Sequence, residues 1–172
     1  MSFKRQQRNP GVETDFQKLI QTLAQGEVSF IVVGGAAATA HGSARLTMDL
    51  DIVYGRDNQN LARLVAALTP LKPYLRGAPA GLPFEWSAET LKRGLNFTLI
   101  TSLGALDVLG EITGGGCFED LLPHSVVLSL HGSECLCLEL EWLIRVKRAA
   151  GRPKDLEAIA ELEVILEEKT RV

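Results

Sequence analysis

Residues 29 to 54 read SFIVVGGAAATAHGSARLTMDLDIVY, and no other stretch leaves the chain so few ways to fold. Ser29–Val33 is an apolar run of strand length that stops on Gly34 and Gly35. The small residues Ala36–Ala40 then suit a short helix, and Met48–Tyr54 reads as the next strand. That second strand carries Asp49 and Asp51 in an otherwise apolar pattern. Successive strand side chains alternate faces, which puts Met48, Leu50 and Ile52 on one side and the two acids on the other. Their Cα atoms lie about 7 Å apart at a rise of ~3.3 Å per residue.

Ionised carboxylates so placed repel each other, and a divalent cation relieves the repulsion. Mg²⁺ is held in this way, by one or two carboxylates together with phosphates and water. An isolated Asp-x-Asp is equally the polar face of an edge strand meeting solvent. Here the acids sit in an apolar strand behind a glycine turn that suits phosphate. Gly34 and Gly35 permit a tight bend and close backbone approach, and the helix after them presents unpaired N–H groups to an anion; a Gly-Gly turn after a strand equally serves close packing alone. Neither G-x-G-x-x-G nor G-x-x-x-x-G-K-[ST] occurs, which disfavours a dinucleotide fold and a P-loop. Two bridged metals about 3.5–4 Å apart need a further acid. Asp107 in GALDVLGEI is the candidate, with Leu106 and Val108 facing the core and Glu111 a spare on the same face by parity.

The remaining pattern places these segments in one α/β (α+β) unit. Helices are predicted over 14–24, capped by Thr14 and stopped by Gly26, and over 58–68. A Pro- and Gly-rich loop spans 70–87. Hairpins follow, the first from Leu95–Thr101 with Ala105–Leu109 and the second from Val126–Leu130 with Cys135–Leu138. Helices close the chain over 139–150 and from Pro153 to about Glu168. The domain boundaries follow: a flexible basic tail over 1–12, a core over 13–138 and a C-terminal helical extension over 139–172.

With 172 residues, 46% of them apolar, the chain can bury a core. A net charge of −3 gives no whole-protein footprint for nucleic acid. Cys117, Cys135 and Cys137 lack finger-like spacing, and the Cys135/Cys137 pair points to one face of a strand. No secretory leader or bilayer-spanning run is read, so a cytoplasmic location is expected.

The composite VVGGAAATAHGSARLTMDLDIVY with the later LDVLGEI resembles the polymerase-β-type nucleotidyltransferase superfamily. HGSARLTMDLDI with GRPKDLEAI is similar, more narrowly, to small prokaryotic nucleotidyltransferases that include abortive-infection-type toxins. The resemblance spans roughly residues 28 to 165. It implies a mixed β-sheet flanked by helices, with Asp49, Asp51 and Asp107 as catalytic acids holding Mg²⁺, two ions in all. Gly34 and Gly35 would contact the phosphates of a nucleoside triphosphate, aided by Arg45 and Thr47 of an R-x-T element and more weakly by Ser43; a surface ion pair is the alternative for Arg45. His41 would cap the short helix or line the site, without serving as a base.

Lys147 extends the apolar stripe of Leu140, Leu143 and Ile144, where an ammonium needs an anionic partner or a task. Asp155 suits the N-terminus of the last helix by dipole alone. In the family this region abuts the active site, making Lys147 and Lys154 candidate triphosphate or acceptor contacts; a solvated or snorkelling lysine is the alternative for each. The activity implied is transfer of a nucleoside monophosphate from an NTP, ATP included, to a hydroxyl of a small molecule, tRNA or protein, with release of pyrophosphate. The alternatives are a toxin of a toxin–antitoxin pair and a catalytically silent nucleotide-binding scaffold. An antitoxin or a second copy would be the protein partner.

Overall fold

A computed structural model describes residues 12–171, so the basic tail expected over 1–12 lies outside the described residues except for Val12. Helix α1 is Phe16–Gln25, and Leu19, Ile20 and Leu23 are its buried face. Asp15, rather than Thr14, caps it by accepting from the Lys18 N–H at 3.0 Å. The Thr14 hydroxyl is engaged elsewhere: it donates to the Met48 carbonyl at 2.6 Å and accepts from the Ala105 N–H at 3.1 Å. Strand β1 (Phe30–Val33) is wholly buried. Helix α2 runs Gly34–Ala40, so the two glycines form its first turn instead of preceding it.

Strand β2 is Asp49–Tyr54. Met48 falls outside it and is 68% exposed, contrary to the alternation expected, because pairing begins only at Asp49 and the Met48 carbonyl is taken by Thr14. Helix α3 is Asn58–Leu68, as predicted, with Asp57 as its cap. The loop expected over 70–87 contains the two-residue strand β3 (Tyr74–Leu75). Helix α4 (Ala88–Arg93), capped by Ser87, was not anticipated. The first hairpin is β4 (Asn96–Thr101) with β5 (Gly104–Leu109). A small separate hairpin, β6 (Glu111–Ile112) with β7 (Gly116–Cys117), leads into the single turn α5 (Phe118–Leu121). The second hairpin is β8 (Ser125–Leu130) with β9 (Ser133–Leu138). Helix α6 (Leu140–Ala150) stops at Gly151, whose φ of +66° is left-handed, and α7 (Pro153–Thr170) completes the described chain.

Seven strands form one mixed sheet in the order β3-β4-β5-β2-β1-β9-β8. The central pair, β2 and β5, is parallel, while β1 with β2 and β4 with β5 are antiparallel. Leu50, Ile52, Leu106 and Val108 are fully buried in the core shared with the apolar faces of α1 and α3. Burying each such side chain stabilises the fold by roughly 1.5–3 kcal/mol. Alternation sends Asp49, Asp51 and Asp107 to the opposite face, and α6 packs on both α2 and α7. Cys135 and Cys137 are buried free thiols with Sγ atoms 3.8 Å apart, on one face as their spacing predicts. No helix among the described residues is long and apolar enough to cross a membrane.

Candidate active site

Because β2 and β5 are parallel neighbours, the register sets Asp51 directly opposite Asp107 and Asp49 opposite Ala105. One carboxylate oxygen from each of Asp49, Asp51 and Asp107 lies within 4.8 Å of the other two. All three side chains are half-buried, and Asp51 Oδ1 has no hydrogen-bond partner among the described residues. Burial, then the charges of Asp49 and Asp107, push the Asp51 carboxyl up to about 8. Burial also raises Asp107, with Asp49 adding to the effect and Arg76 opposing it. Three hard oxygen donors, one of them unpartnered, fit a divalent cation such as Mg²⁺.

The glycine turn has a packing reason that spacing alone does not reveal. Gly34 has φ +63°, and a Cβ there would fall on Asp51 Oδ2. A Cβ on Gly35 would lie 2.6 Å from Thr47 Oγ1. Two residues without side chains thus let α2 begin directly over the acids. Thr47 in turn donates to the Asp49 carbonyl at 3.2 Å, which fixes the entry to β2.

A polar cleft of about 380 Å³ collects every site residue expected from sequence: Gly34, Gly35, Ser43, Arg45, Thr47, Asp49, Asp51, Asp107, Lys147 and Lys154. Their contacts differ. The Ser43 hydroxyl donates to Glu161 of α7, and the Ala44 N–H reaches the same carboxylate at 3.2 Å. Arg45 pairs with exposed Glu157 at 3.6 Å, a contact of little weight that leaves its donors available. Burial lowers the Lys147 ammonium, partly offset by Asp155 and Asp51. Lys154 is exposed on the first turn of α7.

Two arginines were missed by sequence reasoning. Arg152 also lines the cleft, and its Nε donates to buried Asp155 at 2.7 Å. Burial pushes Asp155 up, but the bonds and charge of Arg152, with Lys147, outweigh it and hold the carboxyl below its usual range. Asp155 therefore anchors the cationic flank as well as opening α7. Arg76 follows β3 and donates from Nη2 to Asp107 Oδ1 at 2.7 Å, with Asp49 Oδ2 at 3.9 Å. Its motif-free loop gave no signal; only the pairing of Tyr74 and Leu75 with β4 brings it across the sheet.

Two expected neighbours stand apart from the acids. The chain turns at Gly110, so Glu111 leaves β5 for β6 and does not join the cluster. His41 caps α2, as one of its two expected roles required. Its Nε2–H donates to the Leu138 carbonyl at 2.8 Å, and its Nδ1 accepts from Lys169 at 3.1 Å. A second cavity of about 440 Å³ meets the cleft at Gly34, Asp51, Lys147 and Arg152. Leu109, Ile112, Leu143 and Val146 make its walls apolar, and Glu111 and Asn96 add polar groups.

No family model and no curated protein matches the sequence. Solved structures do match. The lincosamide antibiotic adenylyltransferase LnuA, solved with lincomycin bound, superposes with a TM-score of 0.58 at 16% identity, over 89% of this chain and 99% of that one. A Thermotoga maritima protein described as a candidate nucleotidyltransferase gives 0.54 at 16% identity, over 84% and 88%. ANT(2'')-Ia in complex with adenylyl-2''-tobramycin gives 0.53 at 16% identity, over 90% and 95%. The chain therefore has the fold of these proteins, a mixed sheet flanked by helices.

Proposed function

We propose that the protein is a nucleotidyltransferase that moves a nucleoside monophosphate from an NTP to a hydroxyl acceptor and releases pyrophosphate. The observation that carries this reading is the convergence of Asp49, Asp51 and Asp107 beside Gly34, with Asp51 Oδ1 unpartnered. Asp49, Asp51 and Asp107 would hold two Mg²⁺ ions, and such a pair activates the attacking hydroxyl and neutralises the leaving group.

This chain's own residues supply orientation and charge. Gly34 and Gly35 open α2 toward the phosphates, with Thr47 and Arg45 on one side of the cleft and Lys147, Arg152 and Lys154 on the other. Lys147, already partly desolvated, gains most from an anionic partner. The acceptor hydroxyl gives its proton to solvent, its oxygen bonds to the α-phosphorus, and the bond from that phosphorus to the α–β bridging oxygen breaks, its electron pair leaving with pyrophosphate. Positioning and electrostatics suffice for such a transfer, so no covalent intermediate is invoked. The apolar cavity beside Asp51 accommodates the nucleoside end.

Two structural neighbours bear names that concern adenylyl groups and antibiotics, which makes ATP the first nucleotide to test and a small hydroxylated molecule the first acceptor class. The resemblance to abortive-infection enzymes keeps tRNA or protein as the acceptor of a toxin, with an antitoxin or a second copy as partner. A silent scaffold would bind NTP and transfer nothing. The deciding experiment incubates each labelled NTP with Mg²⁺ and cell extract, using wild type and the double variant Asp49→Ala/Asp51→Ala. Label passing to a component only with wild type supports the proposal; equal transfer by both proteins overturns it. Growth arrest on expression that Asp49→Ala abolishes would mark a toxin.

A further inference from the structure

Arg76 stands where the metal-binding reading would place a cation. Its Nη2 lies 2.7 Å from Asp107 Oδ1 and 3.9 Å from Asp49 Oδ2, so one positive charge bridges two of the three acids. It arrives over β4 from the β3 edge, whereas Gly34 and the cations of α6 and α7 approach from the other side of β2. Arg76 therefore does not belong to the phosphate flank.

Its anchorage differs from that of the other arginines near the sheet. Arg56 is clamped by Tyr54, the Leu91 carbonyl and the Gly94 carbonyl, and reads as structural. Arg152 is fixed on Asp155 through two side-chain bonds. Beyond Asp107, the Arg76 side chain makes one hydrogen bond among the described residues, to the Leu99 carbonyl at 3.2 Å, and it remains one-third exposed. The next residue, Gly77, has φ +80° with open space where a side chain would sit.

We propose that Arg76 is a resident counterion of the acidic cradle, which must swing out before a divalent cation can be held by Asp49 and Asp107. The inference rests on the reading of these acids as metal ligands. A guanidinium in the cradle opposes a second cation directly, and only the fraction of molecules with Arg76 withdrawn can bind. Apparent affinity falls by that fraction. In this role Arg76 is a positioning residue that sets how readily the free protein takes up metal.

The test is titration of the whole protein with Mn²⁺ alone, followed by electron paramagnetic resonance, with thermal melts run alongside. R76Q should bind Mn²⁺ about tenfold more tightly than wild type, the weight of one charge-assisted hydrogen bond. R76K, which keeps the charge but loses the fork, should fall between the two. If R76Q melts early, R76K against wild type decides. Equal, measurable Mn²⁺ affinity in the compared proteins overturns the counterion role and leaves the metal site standing. Absence of Mn²⁺ binding in wild type and every Arg76 variant overturns the metal-binding reading, and this inference with it.

Discussion

At Asp51, burial and two neighbouring carboxylates act in one direction, so the native state keeps a proton up to about pH 8. The unfolded chain loses that proton near a pKa of about 3.9. Between those values the folded form binds more protons, and this residue's contribution to stability declines as pH rises. A cation bound at the acids requires the ionised form and so displaces the proton. Mg²⁺ should therefore raise the melting temperature more at pH 8 than at pH 6, and its binding near neutrality should release protons, as calorimetry in buffers of differing ionisation enthalpy would read. Gly34→Ala acts on the same atom, because its Cβ would fall on Asp51 Oδ2 and its φ of +63° disfavours a side chain. The strain expected is about 1–3 kcal/mol, with a larger loss in transfer activity than in the melting temperature.

Helix α2 begins at the acids, and its far end is held away from them. His41 ties its end to β9 and, through Lys169, to α7. Burial and, secondarily, the Lys169 charge hold the imidazole below its usual pKa, while the Leu138 carbonyl pulls the other way. The group is neutral in the fold, so its contribution is present above about pH 6.5 and is lost as pH falls below that. K169M should raise the imidazole pKa, read by NMR of the ring protons. Strands β1, β2, β4 and β5 and helices α3, α6 and α7 were readable from periodicity because each is long or sharply bounded. The two-residue strands β3, β6 and β7 and the short α4 and α5 carry too few residues for a period to register. That difference decided what was missed in the site. Asp107 was found because it sits in a six-residue strand with clear alternation, and Arg76 was not because its position depends on β3 pairing with β4.

Taken as a whole, the molecule closes its cleft by docking the last two helices on the sheet-bearing core. Glu161 of α7 holds Ser43 and the Ala44 N–H, so the loop carrying Arg45 and Thr47 is set by the C-terminal helix. Nothing in the sequence pairs Ser43 with a residue so distant, so its bond to Glu161 was not legible there. Glu161→Ala should release the loop, raising KM for the nucleotide severalfold while kcat changes less. The cost in stability should be about 1–3 kcal/mol, from the donors left unpaired. Steady-state kinetics and a melt of the same preparation would check both.

The parallel pairing of β2 with β5 also governs when the centre comes into existence. On a ribosome, Asp49 and Asp51 emerge well before Asp107, and Lys147, Arg152 and Lys154 emerge later still. Loop closure between such distant segments is slow, so a nascent or partly refolded chain has its first two acids without their third and without the cations that line the cleft. On refolding from denaturant, affinity for divalent cations should return with the central strands, and affinity for nucleotide only once α7 has docked.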